Sequence, residues 1–255
     1  PLVELEGNRL VGFEALARWN HPEQGPIGPD VFIPVAEESG LIVGLTDLVL
    51  KRACDQLRQW QLIDESFADL RIQVNLSGRD VAQAGLTGRI SQALLGAGLQ
   101  AQHLTLELTE NILMERLETA LPMLEELRGL GVRLSVDDFG TGYSSLAHLS
   151  TLPIDSLKVD RSFVRNLSAG SKEAMVVRGI VQLGQSLGKD VVAEGIETAS
   201  QFDQLRGMGC RLGQGFLMAR PMSAERITAL LVGQQPWTGG VALPVALNPL
   251  ATQLH

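Results

Sequence analysis

Short runs of apolar and β-branched residues recur along the chain, separated by longer stretches whose apolar residues fall at helical spacing. The short runs predict strands at Leu2–Leu5, Leu10–Ala17, Ile72–Leu76, Leu104–Leu108, Arg133–Val136, Ser156–Val159, Asp190–Glu194 and Arg211–Leu217. Helices are expected at Asp47–Gln61, Leu86–Leu95, Arg116–Leu130, Glu173–Leu187, Ser200–Met208 and Ala224–Leu231. Gly131, Gly188 and Gly209 sit where a left-handed helix terminus would want them. Strands alternating with helices in 255 residues favour a closed α/β barrel over an open doubly wound sheet. One junction breaks the alternation. Glu6-Gly7-Asn8-Arg9 is too short to hold a crossover helix, so Leu2–Leu5 and Leu10–Ala17 should pair antiparallel, and a purely parallel barrel is disfavoured.

The pattern decays after Val232. Residues 233–255 carry Pro-spaced apolar residues and read as a mobile extension without a core of its own, leaving residues 1–232 as the folded domain. The first strand starts at residue 1, which suggests further sequence upstream. No apolar run reaches the length of a membrane span, Leu41–Leu50 being interrupted by Thr46 and Asp47, and the N-terminus has no signal-peptide pattern. Cys54 and Cys210 have no metal or redox spacing and read as reduced, small apolar residues. A cytoplasmic setting follows as the default.

Lys and Arg number 21 against 29 Asp and Glu, a net charge of −8. That is the wrong sign for a protein that holds DNA or RNA polymers by bulk electrostatics. A phosphate ligand would need some other neutralising charge. In a barrel, functional side chains come from the C-terminal ends of the strands. Those ends supply Glu14, Asn75, Glu107 with Glu110, Asp137 with Asp138, Lys158 with Asp160, and Glu194 with Glu197. Any one of them reads equally as a solvated acid or a helix cap; their repetition at one rim does not. Converging carboxylates repel one another unless cations lie between them. Carboxylates with an amide oxygen suit hard ions, Mg²⁺ or Mn²⁺, and two such ions ~3.5–4 Å apart polarise a phosphodiester and generate hydroxide.

Competing motifs fail. Gly184-Gln185-Ser186-Leu187-Gly188-Lys189 is one residue short of a phosphate loop and is followed by Asp190 instead of Ser or Thr. No G-x-S-x-G elbow or H-E-x-x-H pair occurs.

Glu14-Ala15-Leu16 within Gly12–Trp19 resembles the signature of the EAL-domain cyclic di-GMP phosphodiesterases. It is followed in family order by Asn75-Leu76-Ser77, Glu107-Leu108-Thr109-Glu110, Asp137-Asp138-Phe139-Gly140-Thr141-Gly142, Leu157-Lys158-Val159-Asp160, Ala193-Glu194-Gly195-Ile196-Glu197, and Gln214-Gly215-Phe216 leading to Arg220-Pro221. The resemblance covers residues 1 to about 232. It implies a modified TIM (β/α)8 barrel with an antiparallel first strand, and hydrolysis of cyclic di-GMP to linear pGpG with two Mg²⁺ or Mn²⁺ ions per active site. By the family pattern Glu14, Asn75, Glu107 and Asp137 hold one ion, and Asp137, Asp138, Asp160 and Glu194 lie around the second. Lys158 orients the attacking water. Arg18, Gln214, Leu16 and Pro221 contact the nucleotide. Glu110 and Glu197 support the loop after Asp138 and the lysine side.

In the family the Gly140-Thr141-Gly142 loop couples metal binding to oligomerisation or to an upstream sensor. The resemblance therefore leaves room for a homodimer and for an upstream sensory or diguanylate-cyclase-like domain, through which the whole protein could be membrane-anchored. Family members usually carry a helix and a longer first strand before the position of Pro1, and often have Tyr where Phe216 stands. The alternative is a catalytically silent EAL module that binds cyclic di-GMP as a receptor. Silent members usually lack a metal ligand, whereas every ligand position is filled in this sequence.

Overall fold

In the computed structural model, residues 1–233 are described except Arg116 and residues 143–145. The extension expected over 233–255 lies outside the described residues beyond Gly233.

Eight strands close the barrel. In chain order they are β1 (Leu2–Glu4), β2 (Arg9–Ala15), and then, after a small hairpin of β3 (Trp19–His21) and β4 (Gly25–Ile27), β5 (Arg71–Asn75), β6 (Leu104–Thr109), β7 (Arg133–Phe139), β8 (Ser156–Val159), β9 (Asp190–Ala193) and β10 (Leu212–Gly213). Around the barrel the order is β1, β10, β9, β8, β7, β6, β5, β2, and β1 is antiparallel to both of its neighbours. Asn8, with φ 52°, turns the chain between β1 and β2, which is the short hairpin that the Glu6–Arg9 spacing requires. The remaining barrel pairs are parallel.

The helices are α1 (Pro29–Ser39), α2 (Ile42–Gln61), α3 (Gly78–Ala82), α4 (Leu86–Ala97), α5 (Glu110–Glu115), α6 (Leu117–Leu130), α7 (Leu146–Thr151), α8 (Arg161–Arg165), α9 (Lys172–Ser186), α10 (Ala199–Gly207) and α11 (Ala224–Val232). The main core lies between the outer strand faces and these helices, through residues such as Leu57, Val74, Leu106, Leu124, Leu134, Leu157, Val177 and Leu205. The long helices place apolar side chains three or four apart, as Ala120, Leu124 and Leu127 do on α6, and so cover the sheet. Cys54 and Cys210 are buried free thiols in this shell. No helix among the described residues is long and apolar enough to cross a membrane.

Two expected strands end two or more residues earlier than the apolar pattern suggested. The run Leu10–Ala17 stops pairing at Ala15, opposite Val74. The run Arg211–Leu217 yields only Leu212–Gly213, because the N–H groups of Met218 and Ala219 bond back to the carbonyl of Gly215 and turn the chain. Both early endings lie at the rim where the site residues stand. The β3–β4 hairpin and helix α1 had no counterpart in the periodicity: their apolar residues pack locally, Trp19 edge-on to Phe32 and His21.

Candidate active site

Side chains alternate across a strand, so one set of every second residue faces the barrel interior. On β5 that set is Arg71, Gln73 and Asn75; on β6, Thr105 and Glu107; on β7, Arg133, Ser135 and Asp137; on β8, Ser156 and Lys158. The interior is consequently polar, with Ser156 Oγ donating to Ser135 Oγ at 2.9 Å in its middle layer. At the C-terminal end the same alternation brings Glu14, Asn75, Glu107, Asp137, Lys158 and, just past β9, Glu194 together.

Lys158 is the centre of this group and is 1% exposed. Its ammonium lies 2.6 Å from Glu194 Oε1, 2.9 Å from Glu107 Oε2, 3.2 Å from Asp137 Oδ1 and 3.9 Å from Glu14 Oε2. Burial works against the charge, but Glu107, Glu194, Glu14 and Asp137 together outweigh it and hold its pKa well above the usual lysine value. One cation cannot neutralise four acids. Burial drives the fully enclosed Glu107 well above the usual carboxylate range, against the pull of Lys158 and with repulsion from Glu14 and Asp137 added. Burial likewise pushes Glu194 up to about 7, Lys158 opposing it and Asp137 and Glu14 adding to it.

Asp137 and Asp138 are adjacent, so a regular strand would send them to opposite faces. The register between β7 and β8 shifts between Val136 and Phe139, and Asp138 takes φ 53°, rare for a residue other than glycine. This bulge turns Asp138 back towards the site. Oxygen atoms of Asp137, Asp138 and Glu194 lie within 4.8 Å of one another. Asp138 is raised to about 6 by burial and by repulsion from Asp137 and Asp160. Asp160 caps α8, its Oδ1 accepting from the N–H of Ser162 at 3.0 Å and from the Ser162 hydroxyl. Burial pushes Asp160 up, but these bonds outweigh it and hold it below its usual value.

Amides tie the acids together. Asn75 donates to Glu14 Oε1 at 3.0 Å, and Gln214 donates to Glu14 Oε2 at 2.8 Å and to Glu194 Oε1 at 3.1 Å. Glu107 Oε1 and Gln214 Oε1 are buried without a hydrogen-bond partner among the described residues. Orphaned buried oxygens beside a trio of converging carboxylates are the donor set that a hard divalent cation completes, so the residues fit Mg²⁺ or Mn²⁺.

Through Glu14 and Glu194 the acid cluster meets a cavity of about 790 Å³. Glu14, Glu194 and Gln214 line it, together with Leu16, Arg18, Glu197 and Pro221 from the sequence expectation. Arg161 and Arg220 also line it, as does Phe216, over whose ring Arg220 sits at 4.4 Å. Arg161 was not anticipated, although it follows Asp160 directly and the strand-end rule extends to it. Three guanidiniums in the wall are the neutralising charge that a net −8 chain seemed to lack.

Glu110 is buried and stands apart from the metal-type cluster: its Oε2 accepts from the N–H of Gly140 at 2.9 Å and of Gly142 at 3.3 Å. Glu197 is exposed at the cavity edge, and its carboxylate makes no ion pair or hydrogen bond among the described residues, so the structure does not bring it to Lys158.

A family model described as the EAL domain matches residues 1–221. Among curated proteins, the chain is 46% identical over 229 residues to the bifunctional diguanylate cyclase/cyclic di-GMP phosphodiesterase MucR of Pseudomonas aeruginosa, covering 90% of this chain and 33% of MucR. It is 46% identical over 231 residues to the cyclic di-GMP phosphodiesterase NbdA of the same organism, covering 91% of this chain and 29% of NbdA. The chain thus spans about a third of the length of these relatives. A solved structure of the PaMucR phosphodiesterase in complex with c-di-GMP superposes with a TM-score of 0.84 at 46% identity, covering 89% of this chain and 91% of that one.

Proposed function

The chain belongs to the EAL domain family, and from that premise we propose that it is a phosphodiesterase that hydrolyses cyclic di-GMP to linear pGpG with two Mg²⁺ or Mn²⁺ ions. The observation that carries this reading is the continuity of two features: the cluster of Glu14, Glu107, Asp137, Asp138 and Glu194 around Lys158 opens directly into a guanidinium-lined cavity of nucleotide size. The relatives named as phosphodiesterases and the c-di-GMP complex of PaMucR support the same substrate.

In this mechanism Glu14, Asn75, Glu107 and Asp137 would hold one ion, and Asp137, Asp138, Asp160 and Glu194 would lie around the other. The ions would supply Lewis acidity to the phosphodiester and lower the pKa of water. With the carboxylates so engaged, the Lys158 ammonium is left to donate to the attacking water and align it with the scissile bond. An ammonium has three donors and no acceptor, so it can fix a nucleophile without competing for the ions. Arg18, Arg161 and Arg220 line the cavity with Gln214, Leu16, Phe216 and Pro221; in this reading the guanidiniums would meet the phosphates and the others would bound the nucleotide. Glu110 fixes the Gly140–Gly142 loop, which keeps Asp137 and Asp138 in register.

The test is incubation of the chain with cyclic di-GMP and Mg²⁺ or Mn²⁺, with products separated by chromatography. Release of pGpG under either metal is the expected result. Saturable binding without product under both metals would instead establish the receptor reading.

A further inference from the structure

The interior alternation that gathers acids at one end of the barrel gathers arginines at the other. Two steps below Gln73 and Ser135 stand their inward counterparts, Arg71 and Arg133, at the N-terminal mouth. They are joined there by Arg9 at the start of β2 and by Arg211 just before β10.

Two acids form ion pairs with three of these four arginines, and each uses both of its oxygens. Asp190 accepts from Arg211 at 2.8 Å through Oδ1 and from Arg133 at 3.4 Å through Oδ2. Glu4 accepts from Arg211 at 3.5 Å through Oε1 and from Arg9 at 3.3 Å through Oε2. Arg71 is half-buried and makes no hydrogen bond or ion pair among the described residues. Burial and the charges of Arg133 and Arg211 depress its pKa, while Asp190 and Asp69 only partly offset them. A guanidinium held among like charges with all of its N–H donors free is a pre-organised fork for an oxyanion. Arg133 spends one nitrogen on Asp190 and keeps donors spare beside it. The placement also stands out on a chain of net charge −8, where four arginines gather at the mouth opposite the acidic rim.

We propose that the N-terminal mouth of the barrel is a second binding site, distinct from the carboxylate rim, at which Arg71 and Arg133, backed by Arg211, hold a phosphate-class oxyanion. The occupant is either free inorganic phosphate or the phosphate monoester of a nucleotide.

The test is titration of the metal-free chain, followed by the arginine Nε–H signals in ¹⁵N NMR. Inorganic phosphate and GMP are the two probes, with sodium chloride at matched ionic strength as reference. The expected result is a saturable shift of the Arg71 signal with phosphate that chloride does not produce. Equal shifts with GMP identify the monoester as an accepted occupant, and shifts with phosphate alone identify the free ion; either supports the site. Arg71→Met should weaken phosphate binding about tenfold or more, as expected for loss of a charge-assisted forked pair. Arg71→Lys should recover only part of it, and Arg18→Met in the large cavity should leave it unchanged. An Arg71 signal that moves equally in chloride and phosphate overturns the proposal. So does phosphate binding that survives Arg71→Met or disappears with Arg18→Met. Because Arg71 is outside the phosphodiesterase machinery, turnover of cyclic di-GMP should be unaffected by Arg71→Lys, which keeps this outcome separate from that of the proposed function.

Discussion

At the scale of single residues, Lys158 bears the sharpest consequences. It neutralises buried acids in the metal-free protein and, in the proposed mechanism, aligns water in the loaded one. Lys158→Ala should lower kcat by roughly 10²–10⁴-fold, the usual range for loss of a positioned proton-handling or charge-stabilising group, with KM changed little. The same variant leaves Glu107 without its cation, so the metal-free protein should lose about 3–5 kcal/mol in urea denaturation, and added Mg²⁺ should restore most of it. Full turnover in Lys158→Ala would remove the lysine from the mechanism.

The acids make a second prediction, in pH. Glu194 and Asp138 titrate at about 7 and about 6 in the folded metal-free protein, above their unfolded values. The folded state therefore holds protons that the unfolded state releases. Its extra stability is present below about pH 4 and is lost as pH rises through 6 and 7. The melting temperature of chelator-treated protein should fall between about pH 5 and pH 8, and Glu194→Gln should flatten that slope. A midpoint that rises over this range would contradict the burial argument. These roles rest on residues that the strand-end motifs pick out readily. What the motifs could not supply is that Glu197 stands free at the cavity edge while Glu110 binds the glycine loop, because side chains of equal chemistry at strand ends differ only in where the chain turns next.

At the scale of elements, two backbone features set the site. β2 carries Glu14, and Gly12 lets it approach β5 closely: a Cβ at Gly12 would lie 2.2 Å from the carbonyl oxygen of Arg71. Gly12→Ala should therefore cost about 1–3 kcal/mol by forcing the two strands apart, and because β2 also delivers Glu14, metal affinity measured by calorimetry should fall with it. Unchanged stability in that variant would show that β2 has slack the packing does not suggest. Gly140 follows the β7 bulge with φ 99°, and its added Cβ would meet Phe163 at 3.1 Å and Ile180 at 3.2 Å. Gly140→Ala should slow turnover more than it lowers the melting temperature, since the loop it holds bonds to Glu110 and adjoins Asp138.

The elements themselves were largely legible: each expected barrel strand is present, and the antiparallel entry of β1 follows from the four-residue turn. The truncation of β10 and the β7 bulge were not legible, because a Gly-rich or acidic strand end looks the same in sequence whether it stays extended or bends. The β3–β4 hairpin was missed for a related reason. Its residues pack on one another, outside the periodic core that patterning detects.

At the scale of the whole molecule, the fold separates charge along the barrel axis: the inward-facing register of β7 carries Arg133 below and Asp137 above, and that of β5 carries Arg71 below and the Asn75 amide above. Divalent ions binding only the folded rim should stabilise the chain by mass action, about 2.7 kcal/mol at a concentration a hundredfold above Kd. A chelator should reverse the shift in a thermal melt. Absence of any metal-dependent shift, with Glu14, Asp137 and Glu194 intact, would count against the rim as a cation site.

The linear order of residues was enough to specify a barrel, its one antiparallel strand and the rim positions where acids gather, since alternation of side chains and turn length are local properties of the chain. Only the tertiary structure decided that Lys158 lies within reach of four carboxylates from β2, β6, β7 and the residue just past β9, that Asp138 turns inward beside Asp137, and that Arg71 makes no ion pair or hydrogen bond among the described residues. Those facts depend on distances between strands far apart in sequence, and such distances are set by barrel closure and by where glycine permits close approach.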